Sequence, residues 1–93
     1  MFEWDKNSRR KIRVHGIKPR EVEQALLSDP IAVYEQDAEG EARYVYHGER
    51  DAGRMLAVVL TERGEKIRVI TAYDLDAGQK RDYLIRRLGG KSS

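Results

Sequence analysis

The sequence predicts an α+β domain: an antiparallel meander of strands with two helices before it and one after it, the helices lying on one face of the sheet. Three observations predict it. Apolar residues recur at helical spacing only before residue 30 and after residue 74. Between those points they form alternating or continuous runs, as strands do. The turns separating the runs are short, which suits antiparallel neighbours and leaves no room for crossover helices.

Residues 2–4 read as a short opening strand. Asp5 is placed to cap a helix over residues 6–15 that Gly16 closes. Ile12 anchors this helix, with Val14 and Ile17 near its end, so a narrow stripe holds it while its basic flank stays in water. A second helix starts at Lys18-Pro19, where proline suits the first turn. Val22, Ala25 and Leu26 form its buried stripe, Glu21 and Glu23 sit where the helix dipole favours anions, and Asp29-Pro30 stops it.

Strands follow over residues 31–36, 42–49, 54–61 and 66–73, with turns at 37–40, 51–53 and 62–65. Residues 54–61 are almost continuously apolar, which predicts a central strand covered on both faces. Asp74 or Asp76 then caps a last helix reaching residue 88, whose apolar residues are Tyr83, Leu84, Ile85 and Leu88. Residues 1–88 make a single domain and residues 89–93 a flexible tail.

Composition narrows the function classes. With 37% charged residues the surface is heavily charged, yet 40% hydrophobic residues are too many for a disordered chain. The chain has no cysteine, which excludes a disulfide framework and a thiolate metal site. No signal-peptide pattern opens it, and the longest apolar stretch, residues 55–60, is far too short to span a bilayer. The expectation is a cytoplasmic protein with no membrane partner. The net charge of +2 hides a division. Residues 1–20 carry seven basic and two acidic groups, residues 21–50 two and eight, and residues 51–93 nine and six. Segregation of this kind suits a basic surface for a polyanion, or two oppositely charged solvated faces.

An ordered set of short matches then spans residues 2–83. It consists of Phe2-Glu3-Trp4-Asp5 with Asn7, Ile12 and His15-Gly16-Ile17; Glu21-Val22-Glu23-Gln24-Ala25 with Asp29-Pro30; Gly53-Arg54-Met55-Leu56 with Val58-Val59 and Thr61; and Ile67-Arg68-Val69-Ile70-Thr71-Ala72. In these residues the chain resembles the BrnT family of toxins. The resemblance implies a RelE-like fold and RNA cleavage. It also implies neutralisation by a cognate antitoxin with a DNA-binding domain, expected to be of the ribbon-helix-helix type. The chain departs from the family pattern in three places. Tyr73 stands where many members have an arginine, Asp76-Ala77-Gly78-Gln79 where a Thr-Arg-Lys-Glu-like run is frequent, and Val14 where a lysine often precedes His-Gly.

RNA cleavage without a metal needs a base for the 2′-hydroxyl, cations for the developing phosphorane charge and an acid for the leaving oxygen. Arg68 interrupts an apolar strand and Arg54 opens the central one; each is a phosphate clamp or one half of a structural ion pair. Tyr73 is an acid, a stacking platform or a lid on the core. His15, at a helix end, is a general base or a cap. His47 is a weaker candidate, and two histidines so far apart make no metal motif, so neither a metal nor a small-molecule cofactor is expected. Arg9, Arg10, Lys11 and Arg13 are the candidates for contact with the RNA backbone or the antitoxin. Trp4 and Tyr44 read as core. The resemblance and these residues together point to a metal-independent ribonuclease toxin. The alternative is a RelE-like protein- or nucleic-acid-binding module without nuclease chemistry, a reading that Tyr73 suits.

Overall fold

The strand at Met55–Arg63 is the axis of the molecule. Leu56, Ala57, Val58, Val59 and Leu60 are all buried although they alternate between its two sides, so material must lie on both faces. The computed structural model describes residues 2–50 and 53–89. Its elements are β1 (Phe2–Glu3), α1 (Lys6–Val14), α2 (Pro19–Leu27), β2 (Ile31–Ala38), β3 (Glu41–Glu49), β4 (Met55–Arg63), β5 (Lys66–Asp74) and α3 (Ala77–Gly89). Residues 51 and 52 of the expected turn at 51–53, and residues 90–93 of the expected tail at 89–93, lie outside the described residues; Gly89, expected in that tail, is the last residue of α3.

The sheet runs β1-β5-β4-β3-β2. The four later strands form the antiparallel meander that the short turns predicted. The opening strand joins it differently: Phe2 and Glu3 pair in parallel with Ile67 and Arg68, which makes the sheet mixed. β2 runs two residues further than expected, to a two-residue turn in which Glu39 (φ 54°) and Gly40 (φ 77°) both adopt the left-handed conformation. Such a turn has the twist that a hairpin needs.

α1 is bounded by local chemistry. The Ser8 N–H donates to Asp5 Oδ1 at 2.8 Å, and the Asp5 N–H donates to the Ser8 hydroxyl at 3.1 Å. These two bonds satisfy donors that the first turn leaves open. At the other end Gly16 takes a positive φ, and the Ile17 N–H bonds back to Ile12 O at 3.0 Å, so Ile17 enters the core beside Ile12. α2 comes so close to the sheet that a Cβ on Gly48 would lie 2.6 Å from Ala25 O. Ile12, Val22, Ala25, Leu56, Val58, Leu60, Val69 and Ala72 form the main core between these two helices and one face of the sheet, with Trp4 and Tyr44 half-buried against it. Each fully buried valine, leucine or isoleucine there contributes about 1.5–3 kcal/mol.

The third helix does not join the other two, contrary to the expectation of one helical face. α1 and α2 already cover the face that carries Leu56, Val58 and Leu60, so α3 docks on the opposite one. Its buried residue, Tyr83, packs with Ala57 and Leu75, against Ile31, Met55 and Tyr73. Asp76 caps it through a 2.8 Å bond from the Gln79 N–H. Arg87 ties it down by donating to the Tyr83 hydroxyl, to Asp29 Oδ2 at 3.0 Å and to Asp29 O. Leu84, Ile85 and Leu88 face solvent. No helix among the described residues is long and apolar enough to cross a membrane.

Candidate active site

Ala57, Val59 and Thr61 of β4 alternate onto the face that α1 and α2 leave free. Their partners on β5 are Tyr73, Thr71 and Arg68. A regular strand would put residues 68 and 73 on opposite sides, because five is an odd step in a two-residue repeat. A bulge changes that. Val59 pairs with Thr71 while Leu60 pairs with Val69, so Ile70 is an extra residue and the alternation restarts beyond it. Arg68 and Tyr73 therefore share the free face. α3 covers one end of that face, beside Tyr73, and the end around Arg68 is left accessible.

At the accessible end Arg68 Nη2 donates to Asp5 Oδ2 at 3.2 Å. Asp5 thus caps α1 and orients Arg68 at once. The Ser8 backbone bond, and then Arg68, hold its carboxyl below the usual 3.8. Asn7 and Lys11, one turn apart on α1, and Arg43 of β3 join Arg68 around a shallow cavity of about 180 Å³. Arg43 was not among the candidate residues. In sequence it is one polar position of an alternating strand, and its nearness to Arg68 depends on a register that no local signal encodes.

Helix geometry divides the basic cluster. Arg9, Arg10, Lys11 and Arg13 are all exposed. Lys11 turns toward the Arg68 cavity, whereas Arg9 and Arg13 flank Ile17, Lys18 and Pro19 around a separate cavity of about 250 Å³.

Arg54 has a different setting. Its Nε and Nη2 grip Asp74 at 2.7 and 3.0 Å, and Nη1 and Nη2 donate to Gly16 O and His15 O, both at 3.1 Å. Glu21 lies 3.7 Å away. The bonded guanidinium holds the Asp74 carboxyl below its usual range, and its own pKa is raised in turn. Arg54 is a clasp between the end of α1, β4 and β5.

The clasp sits beside the two candidate proton-transfer groups. His15 and Tyr73 approach with ring centroids 6.3 Å apart and planes tilted by 53°. His15 is exposed at the C-cap of α1, while Tyr73 is half-buried against the α3 cluster, and burial raises its phenol above 10. A phenol raised in this way keeps its proton at neutral pH and is the weaker acid for it. His47 is buried on the same face, and burial, then Arg86, lowers its pKa. Among the described residues no group of three or more His, Cys, Asp or Glu side chains gathers to hold a metal.

Residues 4–78 match the family described as ribonuclease toxin, BrnT, of type II toxin-antitoxin system. No curated protein matches the chain.

Proposed function

From the premise that this chain belongs to the BrnT family of ribonuclease toxins of type II toxin–antitoxin systems, we propose that it cleaves RNA on the free face of the sheet, without a metal ion. In this reading Arg68, with Lys11 beside it, neutralises a phosphate of the bound strand, four strand residues (~13 Å) along the face from Tyr73. His15 takes the proton of the 2′-hydroxyl as that oxygen attacks phosphorus, and Tyr73 gives its proton to the departing 5′-oxygen. Arg54 acts at one remove, by holding the carbonyl of His15 and the strand that carries Tyr73. Arg9, Arg10 and Arg13 bind the backbone of the strand as it leaves the site.

The observation that supports this most is the shared face: one strand bulge brings an arginine, a protonated phenol and, at its edge, an imidazole onto a single surface. Type II systems pair the toxin with a protein antitoxin. The antitoxin proposed here is a ribbon-helix-helix DNA-binding protein that covers the basic surface and keeps the chain inactive in the cytoplasm.

The test is controlled expression of the chain in a bacterium without the antitoxin, following growth and RNA integrity, with Arg68→Ala as control. Losing a transition-state contact costs about 10²–10³ in rate. Growth arrest with RNA cleavage, both abolished in a folded Arg68→Ala protein, is the expected result. Intact RNA beside abundant, folded wild type would instead support a binding module without nuclease chemistry. The half-buried phenol of Tyr73 favours that second reading.

A further inference from the structure

The cavity between α1 and the free face gathers three cations, Lys11, Arg43 and Arg68, against one carboxylate, Asp5. Asp5 is already engaged with Ser8 and Arg68. Among the described residues Arg43 is held only by a loose ion pair with Glu41. Its Nε is enclosed and makes no hydrogen bond, and the nearest carboxylate oxygen, Glu41 Oε1, is 3.6 Å away, beyond bonding distance. Apart from the bond to Asp5, Arg68 also makes no hydrogen bond among the described residues. An enclosed guanidinium N–H without an acceptor is costly, and so are like charges around one hollow. An anion with several oxygens entering the hollow removes the second of these costs.

We propose that Arg43, Arg68 and Lys11 form a three-cation seat for a phosphate of the RNA strand, with Arg43 as a phosphate ligand in its own right. The inference rests on the RNA-cleaving reading and deepens it. Two planar guanidinium forks approach from neighbouring positions of the sheet. Arg43 continues the alternation of Val45 and His47 on β3, and Arg68 lies across β4 from it, in register with Thr61. Their fixed donors suit the tetrahedral oxygens of a phosphodiester, while the lysine adds a mobile point charge from the helix side. The two oxygens of a carboxylate lie in one plane with its carbon, whereas the two non-bridging oxygens of a phosphodiester diverge from a tetrahedral phosphorus and let one fork take each.

Two titrations on folded protein test the seat. In the first, inorganic phosphate replaces chloride at constant ionic strength while the arginine Nε–Hε NMR signals are followed. Saturable shifts at Arg43 and Arg68, but not at the exposed Arg20 of α2, are expected. In the second, a 2′-O-methylated, uncleavable uridine octamer is titrated by fluorescence anisotropy at several salt concentrations. Arg43→Gln should weaken binding roughly 10- to 100-fold and flatten the salt slope by about 0.7. Arg43→Lys should keep the slope and recover part of the affinity, and Arg20→Gln should change neither. Thermal unfolding of each variant confirms that it is folded.

If the wild type cleaves RNA while Arg43→Gln binds the octamer unchanged, the seat is wrong and the nuclease stands. If phosphate shifts Arg43 and Arg68 but RNA is neither bound nor cut, the seat stands and the RNA reading falls. Loss of antitoxin binding in Arg43→Gln with phosphate and RNA affinity unchanged would overturn the proposal in favour of a protein interface.

Discussion

Arg68 and Tyr73 are five residues apart on one strand and still share a face of the sheet, because β5 carries one extra residue between them at Ile70. If both act on one bound RNA strand, their contributions to the rate are coupled. Arg68→Ala and Tyr73→Phe are each expected to lower kcat/KM for RNA by about 10²–10⁴. The double variant should fall far short of the product of the two losses, as with residues that work as a unit. A double-mutant cycle on purified protein measures this, and full multiplicativity would show that the two groups act on different steps.

Thermodynamic stability should hardly notice the same substitutions. Arg68 meets Asp5 in a partly exposed ion pair, a kind that contributes about 0–1 kcal/mol. Removal of the Tyr73 hydroxyl leaves its ring on the α3 cluster. Urea unfolding of both variants is expected within about 1 kcal/mol of wild type, which would separate lost chemistry from lost fold.

Arg54 behaves in the opposite way. Its bonds to Asp74, His15 and Gly16 hold three elements together, so Arg54→Ala should cost about 1–2 kcal/mol and lower Tm by several degrees. The pair also sets a pH dependence. The Arg54 bond holds the folded Asp74 carboxyl below its ordinary 3.8, so the stabilisation is complete above that value and fades as pH falls through the folded pKa. The stability gap between wild type and Arg54→Ala should therefore narrow below pH 4 and stay constant from about pH 5 to neutrality. A gap that widened in acid would contradict the clasp.

Gly48 tests the packing of α2. An added methyl would meet the Ala25 carbonyl at 2.6 Å, and that oxygen belongs to a helix already seated on the sheet. Gly48→Ala should destabilise by about 1–3 kcal/mol, the ordinary cost of overpacking. Chemical-shift changes should centre on Ala25 and its neighbours.

Tyr83 is the buried side chain that docks α3. Tyr83→Ala should cost about 3–5 kcal/mol if α3 unfolds together with the core, or else expose α3 alone to proteolysis. Burial raises the Tyr83 phenol above 10, with the Arg87 bond opposing. Its contribution is thus present below pH 10 and lost as pH rises through the folded pKa. Tyr83→Phe should remove that alkaline sensitivity.

Features that depend on neighbours in the chain were legible in the residues alone. Asp5 caps α1 through Ser8, three residues on, and Gly16 ends the helix because a positive φ is needed there. Pro19 opens α2, and the apolar run at residues 56–60 demands cover on both faces; each is a local rule, and each was legible without coordinates. The family could be read for the same reason, since its marks are short runs in a fixed order.

Contacts between distant parts of the chain settled the rest. The parallel seat of β1 on β5, the passage of α3 to the second face, and the meeting of Arg54 with Asp74 join residues 20 or more apart in sequence. The site shows the difference most clearly. Periodicity alone separates Arg68 from Tyr73 and says nothing that links Arg43 to either. One bulged residue and the register of three strands bring them onto one surface. A single extra residue reverses which side every later side chain faces, and its cost or gain is settled by the whole sheet rather than by the residues beside it.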